Sequence, residues 1–221
     1  MSVALLENDT LLCEQTLATG LTHSETLLPT VDAVLKAAGK TCADIDLFGV
    51  CAGPGSFTGL RIGLCAVKGL AFPANTPCAA VSTLEALAWS HVGTGTVVAA
   101  QDARRGEVYW AAFDLAAHQR ITPDTASPVE KIRALAETCP KPLLFVGDGA
   151  YLCESAFSAV PGVLPCPAAL RAARAAGVCL AAKAMAERGE TCPPAALLPS
   201  YHRLSQAERQ RAERLAQTTE G

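Results

Sequence analysis

The sequence predicts an α/β chain built as two halves, each a mixed sheet with helices packed on it. Three observations carry that expectation. The apolar run Ile45–Ala52 has strand length and reads as a strand buried on both faces; it leads straight into a glycine-rich turn, Gly53–Gly59, and then a helix. Two pairs of short apolar runs, one near the start and one past Thr96, are each followed by segments of helical periodicity. The 221 residues are 50% apolar and 18% charged, enough for one large core or two small ones and too apolar for disorder.

In chain order, Val3–Leu6 and Leu11–Gln15 form a hairpin around Glu7-Asn8-Asp9-Thr10. Thr22-His23-Ser24-Glu25 has the capping-box pattern, and behind it Leu27, Leu28, Val31, Leu35 and Ala38 recur at helical spacing. Glu25, Asp32 and Lys36 lie on the other side, and Gly39 ends the helix. Pro29 conflicts with a regular helix here and predicts a kink or a late start. After the buried strand and its turn, a helix runs from about Leu60 to Phe72, closed by Pro73 and Pro77. Ser82 or Thr83 opens a short helix through Trp89. Gly93-Thr94-Gly95 reads as a linker, dividing the chain into residues 1–95 and 96–221. Thr96–Gln101 and Glu107–Asp114 read as strands around Asp102–Gly106, Ile121–Pro128 as a loop, and Val129–Thr138 as a helix. Leu143–Val146 is a strand ending in Gly147-Asp148-Gly149. Ala168–Arg188 is an Ala-rich helix, and Ser205–Gln217 a polar, exposed one. No internal repeat is visible in the sequence.

Charge and cysteine content narrow the function classes. The formal net charge of −3, from 18 Lys+Arg against 21 Asp+Glu, argues against unaided nucleic-acid binding. No stretch is expected to reach the ~18–20 apolar residues of a bilayer span, and Met1–Thr10 lacks the basic start of a signal peptide. Ten cysteines occur without a C-x-x-C pair. Cys13, Cys51, Cys65 and Cys179 sit in apolar runs and read as small buried hydrophobes in a reducing cytoplasm. The histidines His23, His91, His118 and His202 are too scattered for a zinc site.

GPGSFTGLRIG, at Gly53–Gly63, stands where helix N-termini bind anions. Gly53, Gly55, Ser56, Thr58 and Gly59 are therefore phosphate-proximal candidates. The pattern is neither a Walker A loop nor a clean dinucleotide fingerprint. The alternative is a tight structural turn with Ser56 or Thr58 as helix cap. Leu60, Leu64, Val67 and Ala71 line one side of the following helix, and Ile62, Cys65 and Ala66 much of the rest. A helix apolar most of the way round needs cover on more than one side, from the sheet and from another helix or a partner chain. Arg61 and Lys68 share a face that could meet a phosphate, a partner carboxylate or solvent. Asp102, Glu107 and Asp148 are the best acid–base candidates, though carboxylates beside turn glycines read as turn-formers. Tyr109, Trp110 and Phe113 fit strand alternation and core packing.

GPGSFTGLRIGL closely resembles the signature of the bacterial TsaB (YeaZ) family, a component of the tRNA threonylcarbamoyladenosine machinery. THSETLLP at Thr22–Pro29, DARRGEVYWAAF at Asp102–Phe113, VGDGA at Val146–Ala150 and P-x-Y-x-R at Pro199–Arg203 agree in order and spacing. The resemblance implies a two-lobed actin-like ATPase fold, without a catalytic site or a cofactor of its own. It implies pairing with the catalytic subunit TsaD, addition of the ATPase TsaE, and use of ATP and Mg by the complex. That complex modifies adenosine 37 of tRNAs that read ANN codons. The pairing face would use Leu27, Leu28, Val31 and Leu35 of one helix and Leu60, Arg61, Leu64, Val67, Lys68 and Ala71 of the other; a homodimer through similar surfaces is also implied, as is a cytoplasmic location. One departure stands out. The family's usual opening strand, with an acidic-threonine turn, is absent ahead of Met1-Ser2-Val3, which predicts unpaired backbone groups on its neighbours and a true start further upstream. Two other functions remain open: an independent actin-like kinase or ATPase working through the Gly53–Gly59 turn, and a metalloprotease, which the lack of a spaced histidine pair disfavours.

Overall fold

The computed structural model describes residues 1–18 and 22–202; the polar helix expected at Ser205–Gln217 lies outside them. The chain opens with a hairpin, β1 (Ser2–Glu7) and β2 (Thr10–Thr16), paired antiparallel. Its two-residue turn places Asn8 at φ +56°, a left-handed position that Asn tolerates. Helix α1 (His23–Ala37) starts at the predicted place and ends at Gly39, at φ +66°. The expected capping box does not form: Thr22 makes no side-chain cap bond. Thr26 Oγ1 instead donates to the Thr22 carbonyl at 3.1 Å. Pro29 lies inside α1, so the helix continues past it rather than starting late.

Strand β3 (Phe48–Gly53) leads through the glycine-rich turn to α2 (Phe57–Ala71), then β4 (Cys78–Ser82), which pairs parallel with β3, and α3 (Thr83–Trp89). Next come β5 (Thr96–Arg104), β6 (Glu107–Asp114), β7 (Thr125–Pro128), α4 (Arg133–Thr138), β8 (Leu143–Val146), α5 (Ala150–Phe157), β9 (Val163–Leu164) and α6 (Ala175–Glu187). These last five strands form one sheet in the order β7-β6-β5-β8-β9, antiparallel on one side of β5 and parallel on the other. Residues 121–128, read from sequence as a loop, contain the edge strand β7. Residues 168–188 are not one helix: a short 3-10 turn at Ala168–Leu170 precedes α6.

The five-stranded sheet carries a core on each face. Val98, Trp110, Phe145 and Phe157 pack with α4 and α5 on one side; Leu84, Leu87, Val97 and Phe113 pack under α3 on the other. Trp110 and Phe113 are core residues, as their alternation implies, and Trp110 Nε1 donates to Ser127 Oγ at 2.9 Å. Helix α6 crosses back onto β1, β3 and β4 and lies against α3. The approach to α3 is close: a Cβ on Gly177 would stand 2.3 Å from the Ala86 carbonyl oxygen.

The first half has no such sheet. β1–β2 and β3–β4 are two separate pairs. Between them lies a cavity of about 750 Å³, walled by β1, β3, α1, α2 and α6. β3 is accordingly only half-buried over Phe48–Cys51 rather than enclosed on both faces. A two-stranded hairpin is marginal alone, and here α6 anchors it. Glu14, 5% exposed, accepts from Arg174 Nη2 and from the Ala176 backbone N–H at 3.0 Å, while Ser2 Oγ accepts from the Ala175 N–H at 3.1 Å. Both oxygens satisfy donors of the first turn of α6, where the helix dipole favours a carboxylate. At the exposed rim, Lys40 pairs with Glu7 at 2.6 Å and Lys183 with Asp9 at 2.5 Å.

Glu14→Ala removes that anchor and leaves backbone donors of α6 exposed to a poorer partner. Urea unfolding should show a loss of about 2 kcal/mol, the scale of hydrogen bonds to a charged group, while Lys36→Ala, which breaks only the exposed Asp32 pair at 2.7 Å, should change stability by less than about 0.5 kcal/mol.

Candidate functional site

The glycine-rich turn is a junction packed on one side and open on the other. Gly53 and Pro54 are buried, and the bond between them is cis. Gly53 sits at φ +138°, and a Cβ there would lie 2.2 Å from the Ser200 carbonyl oxygen. Only glycine fits both conditions. The segment that presses on it is held by the Ser200 N–H, which donates to the Ala52 carbonyl at 2.8 Å. Tyr201 then stacks on Phe57, ring centroids 4.5 Å apart, and its hydroxyl accepts from Arg61 Nε at 3.0 Å. Between Pro54, Gly55, Phe57, Tyr109 and Tyr201 only about 10 Å³ remains, room for about one water and not for a nucleotide.

Of the phosphate-proximal candidates, Ser56 is the N-cap of α2, its Oγ accepting from the Gly59 N–H at 3.4 Å. Thr58 is exposed and caps nothing. Gly55, Ser56 and Gly59 also border the large cavity, beside Met1 and His23. The turn therefore stands at the mouth of that cavity, under the C-terminal end of β3.

The structure divides the residues expected on one pairing face into three groups. Leu60, Leu64 and Ala71 are 8%, 4% and 0% exposed. They are not available to a second polypeptide, because Leu64 and Ala71 pack with Ala52, Cys78 and Leu197 in the core under β3. Leu27, Val31, Leu35 and Val67 line the cavity, as do Ile62, Ala66 and Leu70; this inner face accounts for much of the apolar excess of α2. The outward stripe consists of Arg61, Cys65, Gly69 and Phe72, at helical spacing; Leu28 of α1 is also exposed. Lys68 is half-buried, its Nζ donating to the Ala195 carbonyl at 3.5 Å.

Cys65 departs from the expectation of a buried thiol because it points out from α2. Phe72 carries no periodic signal of exposure, yet is 72% exposed. Phe57–Ala74, expected to be too short and polar for a bilayer, does reach membrane-spanning length and composition, 18 residues at mean hydropathy 1.2; it packs against β3 and α1 within the molecule.

Of the acid–base candidates, Asp102 and Asp148 are turn-formers, and Glu107 opens strand β6. Asp148 Oδ1 accepts from the Asp102 N–H at 3.1 Å, and Asp102 Oδ1 from the Arg104 N–H at 2.7 Å. Among the described residues no three His, Cys, Asp or Glu side chains converge as a metal centre requires. Burial pushes the thiols of Cys51 and Cys179 up to about 11 and that of Cys153 up to about 12. These groups stay protonated and poorly nucleophilic near neutral pH.

Comparison with known proteins places this architecture. A family model described as TsaD, tRNA N6-adenosine threonylcarbamoyltransferase, matches residues 18–211. The Bacillus subtilis tRNA threonylcarbamoyladenosine biosynthesis protein TsaB is 31% identical over 69% of this chain and 68% of its own length. This chain belongs to the TsaB (YeaZ) family. The Escherichia coli TsaB is 45% identical over a shorter stretch, 41% of this chain and 41% of that protein. A Pseudomonas aeruginosa structure described as similar to peptidase YEAZ superposes with a TM-score of 0.78 at 30% identity, covering 91% of this chain and 94% of that one. A second, YeaZ from the same organism, gives 0.73 at 30% identity, over 90% and 93%. The fold is thus α/β of the actin-like type, with mixed sheets.

Gly53→Ala should cost about 2 kcal/mol or more in urea unfolding, because the methyl group meets a fixed carbonyl at a backbone angle that disfavours it. Ser56→Ala should cost only about 0.5–1 kcal/mol, the loss of one long cap bond.

Proposed function

We propose that this chain is a non-catalytic subunit of the bacterial complex that forms N6-threonylcarbamoyladenosine at position 37 of tRNAs reading ANN codons. In this reading it pairs with a TsaD-like catalytic subunit, a TsaE-like ATPase joins the pair, and the complex rather than this chain uses ATP and Mg. Tight similarity to proteins named TsaB, over two-thirds of the chain in the Bacillus relative, is the observation that carries the proposal. The chain divides into lobes of residues 1–95 and 96–221 and works in the cytoplasm.

The geometry supports a pairing role at α1 and α2. Leu28 and Phe72 are 54% and 72% exposed, and Arg61, already oriented by Tyr201, stands with Cys65 on the outward stripe of α2. An arginine and an aromatic ring flanked by apolar groups are the usual anchors of a protein interface. A second copy of this chain would use the same stripe. The net charge of −3 leaves most tRNA contact to other subunits.

Phe72→Asp with Leu28→Asp is the test. Both side chains are exposed, so thermal unfolding should stay within about 0.5 kcal/mol of the parent. Affinity for the TsaD-like subunit, read by co-purification and calorimetry, should fall at least about tenfold, and threonylcarbamoyladenosine in cellular tRNA should fall with it. Unchanged pairing in the double variant, or robust ATP turnover by the isolated chain, would defeat the proposal.

A further inference from the structure

Ten cysteines are spread through the chain, and the fold sets two of them, Cys78 and Cys192, opposite each other. Cys78 opens β4, and Cys192 follows α6 in the segment that returns to the glycine-rich turn. The Cys78 N–H donates to the Cys192 carbonyl at 2.8 Å, and the Cys192 N–H to the Cys78 carbonyl at 2.9 Å. That exchange is one hydrogen-bonded rung of an antiparallel pair, isolated on the edge of β4 away from β3. Pro193 and Pro194 follow, without an N–H to extend the ladder.

We propose that Cys78 and Cys192 form a reversible disulfide, a redox-controlled fastener for the C-terminal segment. The mutual bonds set the two α-carbons about 5.5 Å apart, within the ~4.4–6.8 Å that a disulfide spans. Side chains of one rung stand on the same face of the pair. Both residues share one packed region: Cys78 lies in the core with Ala52, Leu64, Ala71 and Leu197, and Cys192 packs against that core. A hydrogen-bonded rung is the wider of the two cross-strand geometries, so a bridge there draws the β-carbons together against the pairing. A disulfide held that way is easily reduced, which is the property of a regulatory bond rather than a permanent one, and it suits a compartment that keeps most thiols reduced.

The bond would fasten the segment that braces the glycine-rich turn. Downstream of Cys192, the Ala195 carbonyl accepts from Lys68, Leu197 enters the core, Ser200 closes on Ala52 and Gly53, and Tyr201 orients Arg61. The segment begins at a single rung, and a covalent link at that rung prevents it from opening from that end.

The oxidant is a low-molecular-weight disulfide. Cys192 is half-buried and Cys78 fully buried, so Cys192 reacts first. Its thiolate attacks one sulfur of the oxidant, that S–S bond breaks, and one small thiol leaves. The Cys78 thiolate then attacks the Cys192 sulfur of the mixed disulfide, and the second small thiol leaves. The two protein thiols give up two electrons and two protons, which the two departing thiols carry away. Burial, with the nearby Cys192 adding to it, pushes the Cys78 thiol above its ordinary range, consistent with its role as the second nucleophile.

The test incubates the full chain with oxidised glutathione, blocks the remaining thiols and maps the products by mass spectrometry. Expected is a Cys78–Cys192 cross-link. Amide exchange at Cys192 should slow at least about tenfold, and the unfolding temperature should rise by about 3 °C or more. Dithiothreitol should reverse both. Cys78→Ala should also abolish the cross-link, but it alters the core; Cys192→Ala, at the half-buried partner, is the deciding variant. It should lose the cross-link and both gains while its reduced form unfolds near the parent's temperature. Cross-links formed through the exposed Cys65 in place of this pair, glutathione retained on Cys192 with Cys78 free, or an oxidised chain with unchanged exchange at Cys192 would each overturn the proposal.

Discussion

The first half of this molecule is governed by a broken ladder. β1–β2 and β3–β4 exchange no backbone hydrogen bonds with each other, so neither pair is stabilised as part of a wider sheet. Helices take over that task. α6 binds the hairpin through Glu14 and Ser2 at its first turn and lies along β3 and β4 with its small residues. α2 seals the opposite side of β3 with Leu64 and Ala71. Because α6 also packs against α3, which covers the five-stranded sheet, the same helix that anchors the hairpin ties the two halves of the chain together. A disturbance at Glu14 is therefore felt in the first half's frame, not in a surface loop.

Most of the strand and helix order was legible in the sequence, and the gaps have physical causes. The hairpin, β3, α2, β5, β6 and β8 announce themselves by apolar runs of the right length between turn residues. β7 does not, because an edge strand of four residues gains its order from pairing with β6 and can carry Pro128 and polar side chains without cost.

The site was less legible than the fold, and α2 shows why. Apolar residues at Leu60, Ile62, Leu64, Ala66 and Val67 look alike in a periodicity plot. Yet Leu64 serves the core and Val67 packs against it, while Leu60, Ile62 and Ala66 line the cavity. Core, cavity and interface all select greasy side chains, so periodicity alone cannot separate them; the direction of each Cα–Cβ bond against the surrounding elements can. The residue with the largest exposed apolar surface in this region, Phe72, stands at the very end of the helix, where the period no longer informs. The glycine-rich turn was similarly ambiguous. Its residue types suit an anion site and a close backbone contact equally well, and the contact of the Ser200 carbonyl with Gly53, far apart in the chain, is what the sequence could not display.

The inner and outer faces of α2 also constrain each other. A helix that docks a partner through Arg61, Cys65 and Phe72 transmits force to its opposite face, and that face borders the cavity rather than a filled core along Ile62, Ala66 and Leu70. An interface built on a helix with a void behind it is less rigid than one backed by close packing, so part of any binding energy goes into fixing the helix before contacts form. Tyr201 offsets some of that by holding Arg61 and stacking on Phe57 at the N-terminal end. At the C-terminal end the helix is held instead by Ala71, packed against Cys78 and Leu197, and by Lys68, which donates to the Ala195 carbonyl.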